Sequence, residues 1–111
     1  MQALDVVTFG EAMAMFVAEE TGDLAEVERF TRRIAGAETN VAIGLARLGL
    51  SVGWVSRLGN DSFGRFIRSA LQGERVDCSC AATDPRHPTG FQLKSKTGDG
   101  SDPEVEYFRR G

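Results

Sequence analysis

Hydrophobic and polar positions alternate between two periods along this chain. Residues 4–9 form a short Val-rich run closed by Gly10, the pattern of a buried strand. Residues 13–17 are apolar at every position and predict a second strand, followed by a turn around Gly22. Over 27–34 the alternation puts Phe30 and Ile34 on one face and Arg29 and Arg33 on the other, so a partly exposed strand is expected there.

From Thr39 the period lengthens from two to 3.6. Val41, Ala42, Leu45 and Leu48 then share one stripe, and Gly49 stands where a left-handed turn would end a helix. Residues 52–58, with Trp54 and Val55, return to a strand pattern. Asn60 or Asp61 can cap a second helix, in which Phe63, Phe66, Ile67, Ala70 and Leu71 recur at helical spacing up to Gly73. Strand, helix, strand, helix in this order predicts right-handed crossovers and a parallel sheet covered by helices.

Residues 91–96 and 104–109 are short alternating segments joined by a polar loop that carries Gly98, Gly100 and Pro103, the pattern of a hairpin with limited burial. The fold class predicted is therefore α/β. A Rossmann-like parallel nucleus with helices lies near 4–10 and 38–84, and a small β-sheet near 12–34 and 90–110 overhangs one end, all in one domain over 1–111.

Composition narrows the function. The 111 residues are 41% hydrophobic and 26% charged, enough for one domain with a core. A formal charge of -3 and a pI near 5.1 leave no basic footprint for nucleic acid. No apolar run approaches the roughly 20 residues of a membrane span, and the N-terminus lacks a basic region followed by an apolar stretch. A cytoplasmic protein that binds neither nucleic acid nor membrane is expected. Cys78 and Cys80 supply at most two thiolates where a structural zinc needs four ligands, so reduced thiols and no metal site are expected. His87, in a Pro-rich turn, reads as a loop residue.

The chemistry concentrates at Ala35-Gly36-Ala37-Glu38-Thr39-Asn40. A glycine lets backbone amides approach a ligand, and the unpaired amides of a helix's first turn favour polar or anionic groups. Asn40 can donate to one hydroxyl and accept from another, although an Asn here also reads as an N-cap. Near the other end, Tyr107 and Arg109 stand two apart in one strand and point to one face. Arg109 has the planar fork that suits a carboxylate; alone, Arg109 and Arg110 also read as a solvated basic pair.

Ala35-Gly36, Asn40, Ala42, Gly49 and Gly59 match in spacing the first signature of the ribokinase-like, PfkB-type carbohydrate kinases, which this sequence resembles. Glu38 stands where most members have a small residue, and the Gly-Ala-Glu-x-Asn form, with Tyr107-x-Arg109, is similar to the 2-keto-3-deoxygluconate kinases. The resemblance implies a ribokinase-type sheet under a β lid, with Gly36, Asn40, Tyr107 and Arg109 holding a sugar acid. It implies ATP and Mg2+ in the full-length enzyme, and a homodimer formed through lid strands.

Three departures qualify it. The segment from Gly10 to Phe16 lacks the Asp with which fructokinase- and ribokinase-like members hold sugar hydroxyls, and Gln92 replaces an aromatic residue common in acid-sugar kinases. The Gly-Ala-Gly-Asp motif that carries the family's catalytic base is missing, and Gly98-Asp99-Gly100 in a polar loop is no substitute. The expectation is therefore the N-terminal portion of a sugar-acid kinase, itself catalytically silent and without good binding of ATP. The alternatives are a fructokinase- or ribokinase-like kinase, or a truncated module that binds sugar or self-associates.

Overall fold

The computed structural model describes residues 4–108. Its elements are β1 (Val6–Phe9), β2 (Met13–Thr21), β3 (Phe30–Ala35), α1 (Ala37–Arg47), β4 (Val52–Gly59), α2 (Ser62–Gly73), β5 (Val76–Asp77), β6 (Ala81–Asp84), β7 (Phe91–Lys96) and β8 (Val105–Phe108). They form a parallel sheet with two helices and a mixed sheet beside it.

In the parallel sheet β4 is central. β1 lies along one edge, with Val6 opposite Val52 and Phe9 opposite Val55. β5 and β6 succeed each other along the other edge. The steps β1 to β4 and β4 to β5 run in one direction across the sheet, so right-handed crossovers bring both helices to one face. There Ala42 of α1 and Ile67 and Leu71 of α2 close over Val52, Trp54 and Leu58. Trp54, Ile67 and Leu71 are wholly buried, each worth roughly 2–3 kcal/mol in area removed from water.

The opposite face carries no described helix, which corrects the expectation of a fully buried first strand. Val6 and Thr8 turn to the covered side, whereas Val7 and Phe9 are 45% and 67% exposed. The stripe expected on α1 is also narrower. Ala42 and Leu45 face the core, but Val41 and Leu48 point to solvent.

α1 ends as its sequence predicts. Gly49 takes φ 94°, and the amides of Gly49 and Leu50 donate to the carbonyls of Ala46 and Leu45, a Schellman arrangement. α2 ends differently. It runs through Gly73, and the left-handed position falls on Arg75, at φ 67°.

The mixed sheet has the order β3-β2-β7-β8, with β2 antiparallel to β3 and parallel to β7, and β8 antiparallel to β7. β2 runs on to Thr21, past the expected end at Val17, with a register shift against β7 in that stretch. Strand alternation gives this sheet two different faces. Phe16, Phe91 and Arg32 share the face turned to α2: Phe63 lies 5.5 Å from Phe16 and 5.3 Å from Phe91 between ring centroids, and the Arg32 guanidinium lies 3.9 Å over the Phe66 ring. α2 thus joins the two sheets, with Ile67 and Leu71 in one and Phe63 and Phe66 on the other. Met13, Met15, Gln92 and Tyr107 occupy the face turned away from α2. Among the described residues no helix is long and apolar enough to cross a membrane.

Candidate functional site

Gly36 joins β3 to α1 at φ 136°, in the region that excludes most L side chains. A Cβ there would stand 2.7 Å from the Glu11 carbonyl oxygen and 2.9 Å from Thr39 Oγ1, so neither the turn nor the space admits another residue. The Gly36 carbonyl accepts Thr39 Oγ1–H at 2.8 Å and the Asn40 amide at 3.1 Å. Because Gly36 is itself the N-cap and has no side chain, the amides at the start of α1 receive no side-chain cap.

Asn40 is not the cap that its residue type suggested. It lies within the first turn of α1, exposed, and its side-chain amide makes no hydrogen bond to the described residues. Glu38 is accounted for by its neighbour: its side chain lies where a Cβ on Gly10 would be, 2.8 Å from the Glu38 carboxyl carbon. A residue larger than glycine at the end of β1 would expel it.

The mixed sheet aligns four side chains on the face away from α2. Met15 pairs with Arg33 on β3 and with Gln92 on β7, and Gln92 pairs with Tyr107 on β8. This row crosses all four strands, spaced about 4.8 Å apart. One pleat repeat nearer the parallel sheet, about 7 Å along the strands, Met13 pairs with Ala35, and the chain turns at Gly36. Gly36 and Asn40 thus lie at one turn and Tyr107 in a strand row a short way off. Arg109 lies outside the described residues.

Gln92 is the residue that motif reading left off the site. It is 8% exposed, in the row between Met15 and Tyr107. Its signal in the sequence is its place in β7, an amide on the strand position that pairs with Tyr107 of β8.

The junction between the sheets is built on Asp61. One carboxylate oxygen accepts the Gly64 amide at 2.8 Å and caps α2; the other accepts the Thr89 amide at 2.9 Å, just ahead of β7. Thr89 Oγ1 in turn accepts the Gly59 amide at 2.8 Å. Burial pushes the Asp61 carboxyl up, but the amides of Thr89 and Gly64 outweigh it and hold its pKa below the ordinary aspartate value. Beside this junction a polar cleft of about 350 Å³ is lined by Glu11, Arg57, Asp84 and His87. His87 Nδ1 lies 2.8 Å from Asp84 Oδ2, and Asp84 also accepts the Arg86 amide, so both act within their turn. A roomier cleft of about 720 Å³ is lined by Phe63, Phe91 and Phe108 together with Tyr107, Thr89 and Asp61. Asp99 is occupied by Ser101 in the loop before β8. Among the described residues no group of three or more His, Cys, Asp or Glu side chains could hold a metal.

Comparison with known proteins agrees with this arrangement. The model of the pfkB family of carbohydrate kinases matches residues 3–110. The chain is 54% identical over 108 residues to the 2-dehydro-3-deoxygluconokinase of Bacillus subtilis (strain 168), covering 96% of this chain and 33% of that protein. The crystal structure of a PfkB protein from Polaromonas sp. JS666 superposes with a TM-score of 0.93 at 59% identity, over 98% of this chain and 36% of that one. A sugar kinase of Pyrococcus horikoshii in complex with ATP superposes at 0.85 and 31% identity, over 93% of this chain and 33% of that one. The chain spans about a third of the length of these proteins. With the family model matching residues 3–110 and the fold superposing over 98% of its length, the chain belongs to the pfkB family of carbohydrate kinases.

Proposed function

We propose that this chain is the acceptor-binding part of a kinase that transfers the terminal phosphoryl group of ATP to the primary hydroxyl of 2-keto-3-deoxygluconate. The observation that carries this reading is the 54% identity, across nearly the whole chain, to a 2-dehydro-3-deoxygluconokinase. It is supported by the unengaged Asn40 amide at the Gly36 turn, and by the absence of any carboxylate from the row of Arg33, Met15, Gln92 and Tyr107.

In this reading the mixed sheet is a lid. Gly36 lets the backbone close on the sugar, Asn40 donates to one hydroxyl and accepts from another, and Tyr107 with Arg109 holds the carboxylate. Lid closure excludes water, which would otherwise consume ATP. The proton of the reacting hydroxyl goes to an Asp outside these residues, since the family's Gly-Ala-Gly-Asp motif is not among them. ATP and Mg2+, which supply the phosphoryl group and offset the charge on its oxygens, bind there too. In this reading residues 1–111 by themselves turn over no substrate, since they hold no Gly-Ala-Gly-Asp motif. β3 and β8 are the edges of the mixed sheet, and pairing across them would make a homodimer. The protein works in the cytoplasm.

The test is a panel of acceptors with the protein made from its complete reading frame, read by ADP release. Turnover of 2-keto-3-deoxygluconate above fructose and ribose is expected; turnover of the neutral sugars alone would overturn the substrate assignment.

A further inference from the structure

Met15 occupies the centre of the row that crosses the mixed sheet. Its register partners are Arg33 on one side and Gln92 on the other, and Tyr107 follows beyond Gln92. The row therefore sets one half-buried apolar side chain between hydrogen-bonding ones, on the face turned away from α2. Beside it, Gln92 is 8% exposed and carries an amide that can both donate and accept. A polar ligand seated on this face would meet donors and acceptors at the flanks and a thioether, with no capacity to donate, in the middle.

We propose that Met15 is a specificity-determining residue that selects an acceptor with a methylene in place of a hydroxyl, the unsubstituted carbon 3 of a 3-deoxy sugar acid, while the Gln92 amide binds a neighbouring hydroxyl or keto oxygen. This rests on the acceptor assignment above and extends it to the feature that separates a deoxy acid from its hydroxylated counterpart. A methylene packs against the Met15 side chain at no polar cost. A hydroxyl at the same carbon loses its water and finds no partner there, which costs a factor on the order of 10–100 in discrimination. Gln92 is different in kind: its amide bonds a group that the deoxy and hydroxylated acids share, so it contributes affinity for both alike.

The test compares kcat/KM for 2-keto-3-deoxygluconate and for 2-ketogluconate, the same acid with a hydroxyl on carbon 3, using the protein made from its complete reading frame. The unaltered protein is expected to prefer the deoxy acid by roughly 10–100-fold. Met15→Gln, close in length but able to hydrogen-bond, is expected to lower that preference at least tenfold, chiefly through better use of the hydroxylated acid. Met15→Leu is expected to keep it. Gln92→Met is expected to raise KM for both acids without changing their ratio. Equal use of the two acids by the unaltered protein would overturn the inference even if Met15→Gln fails to fold, and so would an unchanged ratio in a folded Met15→Gln protein. Both results leave the acid-kinase reading standing, whereas turnover of neither acid removes that reading and this inference with it.

Discussion

The Asp61 carboxylate accepts the Thr89 backbone amide at 2.9 Å across 28 positions of sequence while its other oxygen caps α2. One side chain therefore fixes where α2 begins and where the chain enters the mixed sheet. Gly59 is confined by the same junction: a Cβ there would stand 2.5 Å from the Thr89 nitrogen and from Asp61 Oδ2. Packing at the junction thus explains why the last glycine of the family signature is a glycine.

Stability should follow the charge on Asp61. Its folded-state pKa lies below the ordinary value of 3.8, because the Thr89 and Gly64 amides outweigh the cost of burial. The stabilisation is therefore complete above that value and is lost as pH falls through the lower, folded value. Asp61→Asn should cost about 1–2 kcal/mol at neutral pH and flatten the fall in melting temperature below about pH 4. Parallel acid limbs for the two proteins, from melts across the pH range, would contradict this.

Two glycines, Gly36 at the start of the signature and Gly44 inside α1, should respond oppositely to alanine. Gly36→Ala meets both a forbidden φ and the Glu11 carbonyl, and should destabilise by about 2 kcal/mol or more. Gly44, inside α1 with open space around it, should gain about 0.5–1 kcal/mol on the same change. Urea titrations of both variants read the two signs directly.

Arg75 sits at φ 67° after α2, where glycine carries no strain. Arg75→Gly should therefore raise stability by about 1 kcal/mol, with the helix content unchanged by circular dichroism. A loss of stability would show that the Arg75 side chain contributes more than its backbone costs.

Thr8 Oγ1 is buried with no hydrogen-bond partner, on the face of β1 next to Trp54, whose Nε1 is in the same condition. Thr8→Val replaces that oxygen with a methyl of the same shape in a strand, and should stabilise by about 1–2 kcal/mol in thermal melts.

The fold was largely legible in the sequence because its elements carry strong periods and punctuation. Ile67 and Leu71 are where the 3.6 pattern placed them, and Asp61 and Gly49 act as the cap and stop their residue types suggest. What periodicity could not foresee was which face of the parallel sheet would be covered. That depends on the direction of successive crossovers, and it leaves Val7 and Phe9 in solvent. Nor could it foresee that α2 would use two stripes, with Phe63 and Phe66 serving the other sheet. At the site, Gly36 was legible because positive φ and close approach both demand glycine. Gln92 was not, since its burial in the row with Met15 and Tyr107 emerges only in the packed sheet.

The central claim is that this chain's site receives a keto-deoxy sugar acid for phosphorylation. The most direct measurement is phosphorus NMR of 2-keto-3-deoxygluconate incubated with ATP, Mg2+ and the protein made from its complete reading frame, in parallel with fructose. A new phosphate monoester on the primary hydroxyl of the acid, weaker in an Asn40→Ala variant that still folds, is the predicted result. A monoester on fructose with none on the acid would contradict the account.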